Sequence, residues 1–195
     1  MATNKKMENQ SKNCRSEFLS DQFEGLSIWA AFSRGYVFNK DKTISAEDKS
    51  KLKNKIKKLF SEYSQKYQKR ILPVIHTQNI SDFAERITKE YKDILDGGQF
   101  RIGTAQKAFN LYLKYLWCAG WLRCPPPHCP FDSVIYAELA RVNKESMKSI
   151  PPWTRLTKIE DYEKLVKNAE GAKSSGESLP EWECRVWLEW KKKQE

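Results

Sequence analysis

The sequence lacks any long apolar stretch, and this absence removes several classes of protein at once. No run of 18 apolar residues is present, and no signal-like apolar core follows the amino terminus, so we expect neither a membrane span nor export. Runs that alternate apolar and polar residues, which predict half-buried strands, are also missing at useful length. We therefore expect an all-α protein in the cytoplasm, with no membrane partner.

Cysteine and histidine are scarce as well. The chain has five cysteines, an odd number without the spacing of a disulfide framework, which suits a reduced compartment. Its two histidines, His76 and His128, are far apart in sequence, so a serine–histidine mechanism has little support. No Walker loop, H-E-x-x-H, G-x-S-x-G or dinucleotide fingerprint occurs. We expect no cofactor.

One short segment invites a zinc interpretation. Cys124, His128 and Cys129 follow the spacing C-x3-H-C, and Cys118 lies nearby. This is not a usual zinc-finger spacing, and adjacent histidine and cysteine ligands fit awkwardly around one ion. We therefore predict no metal site, and we predict that Cys118 is a core residue.

Positive charge and aromatic residues are abundant. The 195 residues include 35 Lys+Arg against 25 Asp+Glu, a net charge of +10, which favours a polyanionic partner such as nucleic acid. Aromatics make up 12% of the chain, with seven tryptophans. These rings suit a base-stacking pocket, but they equally suit a small helical core. The many lysines that follow Ser45 form either a solvated helix face or a contact with phosphates.

Helical periodicity predicts an all-α protein of about seven helices. We expect a flexible polar tail over residues 1–15, and a single all-α domain over residues 16–195. That domain is either one body or two lobes around a central cleft.

Local signals predict where several of the helices begin. Asn79 or Ser81 is predicted to cap a helix that stops before Gly97. Capping boxes that begin at Thr157 and Ser178 predict the last two helices.

The segment from Phe100 to Leu139 is the most informative. Its first half predicts a helix that is apolar almost all round and therefore lies inside the protein. One thin polar stripe interrupts it, where Lys107, Asn110 and Lys114 share a face. A lysine there either faces a cleft or reaches solvent. In a cleft, burial and the like charge of Lys114 lower the pKa of the Lys107 amine, as a nucleophilic amine requires.

A proline-bracketed loop then leads into the next helix. Asp132 is predicted to cap that helix by accepting backbone N–H bonds, which favour the charged carboxylate. The helix dipole adds to this effect. A capping role does not exclude a functional role, because a capped carboxylate stays rigid and ionised.

Two motifs in this segment resemble a known family. The G-x-x-x-K sequence from Gly103 to Lys107, followed by P-F-D ending at Asp132, is similar to the catalytic core of helix-hairpin-helix DNA glycosylases, and particularly of the archaeal-type 8-oxoguanine DNA glycosylase. The resemblance implies that Lys107 attacks the sugar C1′ and that Asp132 stabilises the developing charge. It also implies a compact helical fold with a modified helix-hairpin-helix around residues 80–118. The usual Leu-Pro-Gly-x-Gly hairpin is replaced here, and the four-cysteine iron–sulfur loop of some relatives is absent.

The resemblance further implies an activity and a setting. A DNA glycosylase flips a damaged or modified base out of the helix and cleaves its N-glycosidic bond. If Lys107 is the nucleophile, a Schiff base forms and AP-lyase activity can follow; otherwise a water assisted by Asp132 attacks. The substrate is either an oxidised purine, in DNA repair, or a hypermodified phage base, in antiviral defence. We expect a monomeric prokaryotic protein that associates with the nucleoid while acting on DNA.

Further residues are predicted to bind the substrate. The start of the central helix can offer free N–H groups to a phosphate, and the polar stripe can contact DNA. The predicted DNA-binding residues are Arg101, Gly103, Thr104, Asn110 and Lys114. Four tryptophans are candidates to stack on an extruded base, although core packing is the alternative for each: Trp153, Trp182, Trp187 and Trp190. The predicted base pocket contains Tyr112, Trp153 and Trp187.

Two other functions fit the same sequence. In the first, the helices form a basic DNA- or RNA-binding module without chemistry, and substitution of Asp132 then alters stability alone. In the second, the chain is a helical protein-interaction factor whose basic face serves only solubility. Failure to bind DNA at any salt concentration would favour this last alternative.

Overall fold

A computed structural model describes residues 2–34 and 36–195, with side chains from residue 14 onward. Eight α-helices lie in this part of the chain, which contains no β-strand, so the all-α prediction is confirmed. They are α1 (Ala2–Phe32), α2 (Ala46–Ser64), α3 (Pro73–Tyr91), α4 (Ile102–Cys118), α5 (Ser133–Val142), α6 (Lys144–Met147), α7 (Ile159–Ala172) and α8 (Leu179–Lys192). None of these helices is both long enough and apolar enough to cross a bilayer.

The predicted boundary between tail and domain falls inside a helix. α1 runs from Ala2 to Phe32, so residues 15 and 16 belong to one element. The side chains of residues 2–13 lie outside the described part of the chain. The flexible tail and the single domain therefore stay predictions.

α4 occupies the centre of the protein, as its apolar sequence predicts. Every residue from Ile102 to Asn110 is buried, and the helix contacts α1, α3 and α7. Phe109 packs face to face with Phe83, with ring centroids 5.6 Å apart. Burial of each such ring contributes about 2–3 kcal/mol. Because this packing buries the side of α4 that carries Phe109, only the remaining side of the helix can line a site.

The helix before α4 begins earlier than its sequence suggests. α3 starts at Pro73. Proline is tolerated at the first position of a helix because the backbone N–H that it lacks would have no partner there. The prediction of a cap at Asn79 or Ser81 was therefore wrong. Asn79 is instead buried inside the helix.

A glycine turn joins α3 to α4. α3 ends at Tyr91, and Gly97 and Gly98 adopt φ of 63° and 69°, a conformation that other residues rarely take. The segment predicted as a modified helix-hairpin-helix is thus two packed helices joined by a glycine turn.

Of the two predicted capping boxes, one forms. The Ser178 side chain accepts a hydrogen bond from the Glu181 N–H, and the Ser178 N–H donates to the Glu181 carboxylate at 2.8 Å. The box predicted at Thr157 was wrong, because α7 begins at Ile159 and its cap, Lys158, makes no side-chain capping bond.

Candidate functional site

A cleft opens between α1, α4, α8 and the start of α5. It consists of an inner chamber of about 430 Å³ and an outer chamber of about 460 Å³. The residues that line both chambers are Ala30, Lys107, Asp132 and Trp187. Each chamber has the volume of a typical small-molecule site. The two predicted catalytic residues therefore meet in one cleft, although they are far apart in sequence.

Lys107 is held as an unpaired amine. The side chain is buried, and no hydrogen bond or ion pair joins it to another described residue. Its Nζ lies 4.3 Å from the centroid of the Trp153 ring, a cation–π contact. Burial lowers the pKa of the amine; the charge of Asp132 opposes this shift and that of Arg34 adds to it. A lowered pKa increases the share of neutral amine, the form that acts as a nucleophile.

Asp132 is fixed by the helix that follows it. One carboxylate oxygen, Oδ1, accepts hydrogen bonds from the Val134 N–H at 2.9 Å and the Ile135 N–H at 3.3 Å. The predicted N-cap is therefore confirmed. The other oxygen, Oδ2, accepts no hydrogen bond from the described residues, and the side chain lines both chambers. That oxygen is free for a cationic group in the cleft.

Gln106 holds the segment that carries Asp132. Its Nε2 donates to the Phe131 carbonyl at 2.8 Å, and its Oε1 accepts from the Phe131 N–H at 3.0 Å. α4 thus carries Lys107 and, at the preceding position, the clamp for the residue next to Asp132. The sequence analysis missed Gln106, although an amide in an otherwise apolar helix was a usable signal.

Asn110 belongs to the core and has no access to DNA. The side chain is fully buried, and its Oδ1 accepts from His76 Nε2 at 2.7 Å. Its Nδ2 donates to the Cys129 carbonyl at 2.9 Å and to the Tyr162 hydroxyl at 3.2 Å. The predicted DNA contact was wrong because the Asn110 amide is buried and its hydrogen bonds go to His76, Cys129 and Tyr162 in the core.

The two histidines extend this buried network. The Tyr67 hydroxyl donates to His76 Nδ1 at 2.5 Å, and the Tyr162 hydroxyl and His128 Nδ1 share a hydrogen bond of 2.7 Å. Burial lowers the pKa of His76 to about 4 and that of His128 well below its usual value. Both rings are therefore neutral at pH 7 and serve the structure of the loop before Asp132.

The segment considered for zinc, from Cys118 to Cys129, does not have the geometry of a metal site. Among the described residues, no group of three or more histidine, cysteine, aspartate or glutamate side chains is placed to hold a metal ion. Cys118 was predicted to lie in the core, and this was wrong. It is exposed at the edge of the inner chamber, because α4 ends there.

The start of α4 is covered by another part of the chain. The Gly103 N–H donates to the Leu156 carbonyl at 2.9 Å, and Thr104 is buried. A Cβ on Gly103 would lie 1.7 Å from the Trp153 carbonyl oxygen, so only glycine fits this contact. The predicted phosphate contacts of Gly103 and Thr104 were therefore wrong.

Arg101 stabilises the same junction. Its guanidinium donates to the carbonyl oxygens of Tyr36 at 2.9 Å and Thr154 at 3.2 Å. It also forms an ion pair with Asp96. Because these bonds occupy the guanidinium with protein acceptors, the predicted phosphate contact of Arg101 was wrong. Arg101 instead connects the loops that carry its three partners.

Lys114 lies in the cleft, but its charge is already paired. Its Nζ donates to Glu183 Oε2 at 2.5 Å, and both residues line the inner chamber. Burial raises the pKa of the Glu183 carboxyl, and the charge of Lys114 opposes that shift. For Lys114, burial lowers the pKa of the amine, but Glu183 outweighs it and the net shift is upward. The paired lysine forms a wall of the inner chamber, and a DNA phosphate would have to compete with Glu183.

The predicted base pocket is only partly assembled. Tyr112 stacks on Phe60 in the core, with centroids 4.5 Å apart, and Trp153 is buried beside Lys107 without lining either chamber. These two predictions were wrong. Trp187 does lie in the cleft, and Trp190 lines the outer chamber. Trp182 is buried in the core, so its candidacy for base stacking was also wrong.

The outer chamber also contains two residues, one in α1 and one just after it, that the sequence analysis missed. Arg34 donates to the Ser133 hydroxyl at 2.8 Å, beside Asp132, and Trp29 lines the same chamber. Nothing in the local sequence indicates these positions, because only the tertiary fold brings Arg34 to Ser133 at the start of α5.

Comparison with known protein families, with curated proteins and with solved structures found no significant match. The resemblance described above therefore depends on the two motifs themselves. The fold adds one observation, which is that Lys107 and Asp132 line the same two chambers.

Proposed function

We propose that this protein is a DNA glycosylase that excises a damaged or modified base. One observation carries the proposal: a buried, unpaired lysine with a lowered pKa shares a cleft with an aspartate that its helix holds rigid. A nucleophile and an anion placed together in this way suit the displacement of a base from a sugar.

The reaction follows from the two side chains. As the N-glycosidic bond breaks, the base leaves with the bonding electrons and gains a proton from water. Positive charge develops on the sugar, and the free carboxylate oxygen of Asp132 stabilises it. The neutral amine of Lys107 attacks C1′ and loses one proton to water. The C1′–O4′ bond of the sugar ring then breaks, O4′ takes up a proton from water, and a protonated Schiff base between Lys107 and C1′ remains. β-Elimination of the 3′ phosphate then nicks the strand.

A water molecule is the other nucleophile that this cleft allows. In that case Asp132 orients the water, Lys107 remains a positioning cation, and the product is an intact abasic site. The chambers have room for a single flipped nucleotide, either an oxidised purine in repair or a hypermodified phage base in antiviral defence. We propose DNA as the partner and a monomer as the active form.

A non-catalytic nucleic-acid-binding module is the second candidate. The net charge of +10 and the exposed tryptophans at the outer chamber favour it, because both would bind a strand without any chemistry. The two functions differ in whether a base is released.

The test uses a panel of DNAs that carry oxidised, deaminated, alkylated or phage-type modified bases. Each is incubated with the wild-type protein, and the abasic aldehydes are counted. Release from one class of DNA supports the glycosylase and names its substrate class. A blank panel together with tight DNA binding would replace the enzyme with the binding module.

A second experiment identifies the nucleophile. Borohydride is added during the reaction to trap a lysine–DNA adduct. We expect an adduct with the wild-type protein and with Lys53→Gln, an exposed lysine on α2 away from the cleft, and none with Lys107→Gln. Base release without any trapped adduct would assign the attack to water.

A further inference from the structure

Three tryptophans lie around the outer chamber and remain partly exposed. Trp29 of α1 is 69% exposed, and Trp187 and Trp190 of α8 are 36% and 42% exposed. Trp187 and Trp190 are three residues apart on one helix, so they share a face. Large apolar side chains gathered at the opening of a cleft mark an interaction surface.

Positive charges are interleaved with these rings. Arg34 lies in the outer chamber, where it is held by Ser133. The Nζ of Lys191 lies 5.9 Å from the Trp187 ring, and the basic residues Lys191–Lys193 follow Trp190 directly. Flat rings beside flexible cations are the two components of a surface that binds bases and phosphates together.

We propose that the rim of the outer chamber, formed by Trp29, Trp187 and Trp190, is a stacking platform for single-stranded DNA. Nucleotides on either side of the target base stack on Trp29 and Trp190, and their phosphates bind Arg34 and Lys191–Lys193. The choice of DNA rests on the proposed function, whereas the stacking does not depend on base release.

The exposed tryptophan rings favour single-stranded DNA over a duplex. In a duplex, the faces of the bases are covered by their neighbours, and only their edges are accessible in the grooves. A tryptophan ring that projects into solvent gains stacking area only from an unpaired base. The start of α4, where a duplex phosphate could bind, is closed by the Gly103–Leu156 hydrogen bond. The accessible surface therefore suits an unpaired strand better than a duplex.

The test measures binding alone, with unmodified DNA. A fluorescein-labelled oligonucleotide is titrated with protein, both as a single strand and as a duplex of the same sequence, and its anisotropy is followed. We expect the single strand to bind more tightly. Trp29→Ala and Trp190→Ala should each weaken its binding by about 5- to 100-fold.

Matched variants separate stacking from general apolar contact. Phe18→Ala removes a ring that is 63% exposed on the same helix as Trp29 but does not line the cleft, so its binding should equal that of the wild type. Trp29→Phe keeps a ring and should keep most of the affinity, whereas Trp29→Leu should lose it. Thermal unfolding of each variant confirms that it is folded.

Three outcomes would overturn the inference. The first is a duplex, or an RNA of the same sequence, bound more tightly than the single-stranded DNA. The second is equal binding by the wild type, Trp29→Ala and Trp190→Ala. The third is a protein that binds no DNA but sediments as a dimer, which Trp29→Ala dissociates. Because no base is released in this assay, the platform can hold while the glycosylase fails, and the reverse result is equally distinguishable.

Discussion

Gln106 binds both the N–H and the carbonyl of Phe131, and this clamp connects the two halves of the candidate site. The next residue on α4 is Lys107, and the residue after Phe131 is Asp132. The backbone that carries Lys107 is therefore held to the backbone that carries Asp132 by two hydrogen bonds from one helix.

Replacement of Gln106 with leucine tests the clamp. The change leaves the Phe131 N–H and carbonyl buried without partners, so we expect a loss of about 2–4 kcal/mol in the free energy of unfolding, measured in urea. Gln78→Leu is the control, because Gln78 is an exposed glutamine on α3; it should change stability by less than about 0.5 kcal/mol. Equal stability of the two variants would show that the clamp contributes nothing.

Replacement of Gly103 with alanine tests the covered start of α4. The added Cβ would meet the Trp153 carbonyl at 1.7 Å, and backbone has to move, so we expect a loss of at least about 3 kcal/mol. Gly25→Ala is the matched control in α1, where no atom lies within 4 Å of the new Cβ; it should stabilise the protein by about 0.5–1 kcal/mol. A Gly103→Ala variant as stable as the wild type would contradict the contact.

A double-mutant cycle tests the Lys114–Glu183 pair. Glu183→Leu strands a largely buried ammonium and should destabilise the protein by about 3–5 kcal/mol, whereas adding Lys114→Met should recover most of this loss. The surface pair of Lys148 and Glu145 is the comparison, and Glu145→Leu should cost less than about 1 kcal/mol. If the double variant loses as much free energy of unfolding as the Glu183→Leu and Lys114→Met variants lose together, the pair is not coupled.

The pH dependence of amine labelling tests the environment of Lys107. Only a neutral amine reacts with acetic anhydride, so a lowered pKa moves the labelling of Lys107 below the usual lysine midpoint of 10.5. Arg34→Gln removes a like charge that lowers this pKa, so its midpoint should move to higher pH. Mass spectrometry of the labelled peptide gives both midpoints. A Lys107 midpoint at or above 10.5 would contradict a desolvated amine.

The parts of the fold that sequence could predict depend on neighbours in the chain. Helical periodicity predicts the buried α4, and the caps at Asp132 and Ser178 follow from hydrogen bonds that reach two or three residues ahead. Such signals are complete within one turn of helix. They are therefore readable without knowledge of the tertiary fold.

The parts that sequence could not predict depend on distant contacts. The residues preceding α7 close the start of α4, which removes Gly103 from phosphate binding. His76 and Tyr162 hold Asn110 in the core, and the segment after α1 brings Arg34 to the start of α5. Each contact joins segments that share no local pattern. The sequence could therefore predict Lys107 and Asp132 as candidate site residues, but it could not predict which other residues form the walls of the cleft.

The most direct test of the central claim is base release by Asp132→Asn. Asparagine caps a helix as well as aspartate does, so unfolding should change by less than about 1 kcal/mol while the charge is lost. With the responsive DNA from the panel, we expect the single-turnover rate of base release to fall at least about 100-fold. An Asp132→Asn protein that releases the base at the wild-type rate would contradict a catalytic carboxylate and leave Asp132 as a helix cap alone.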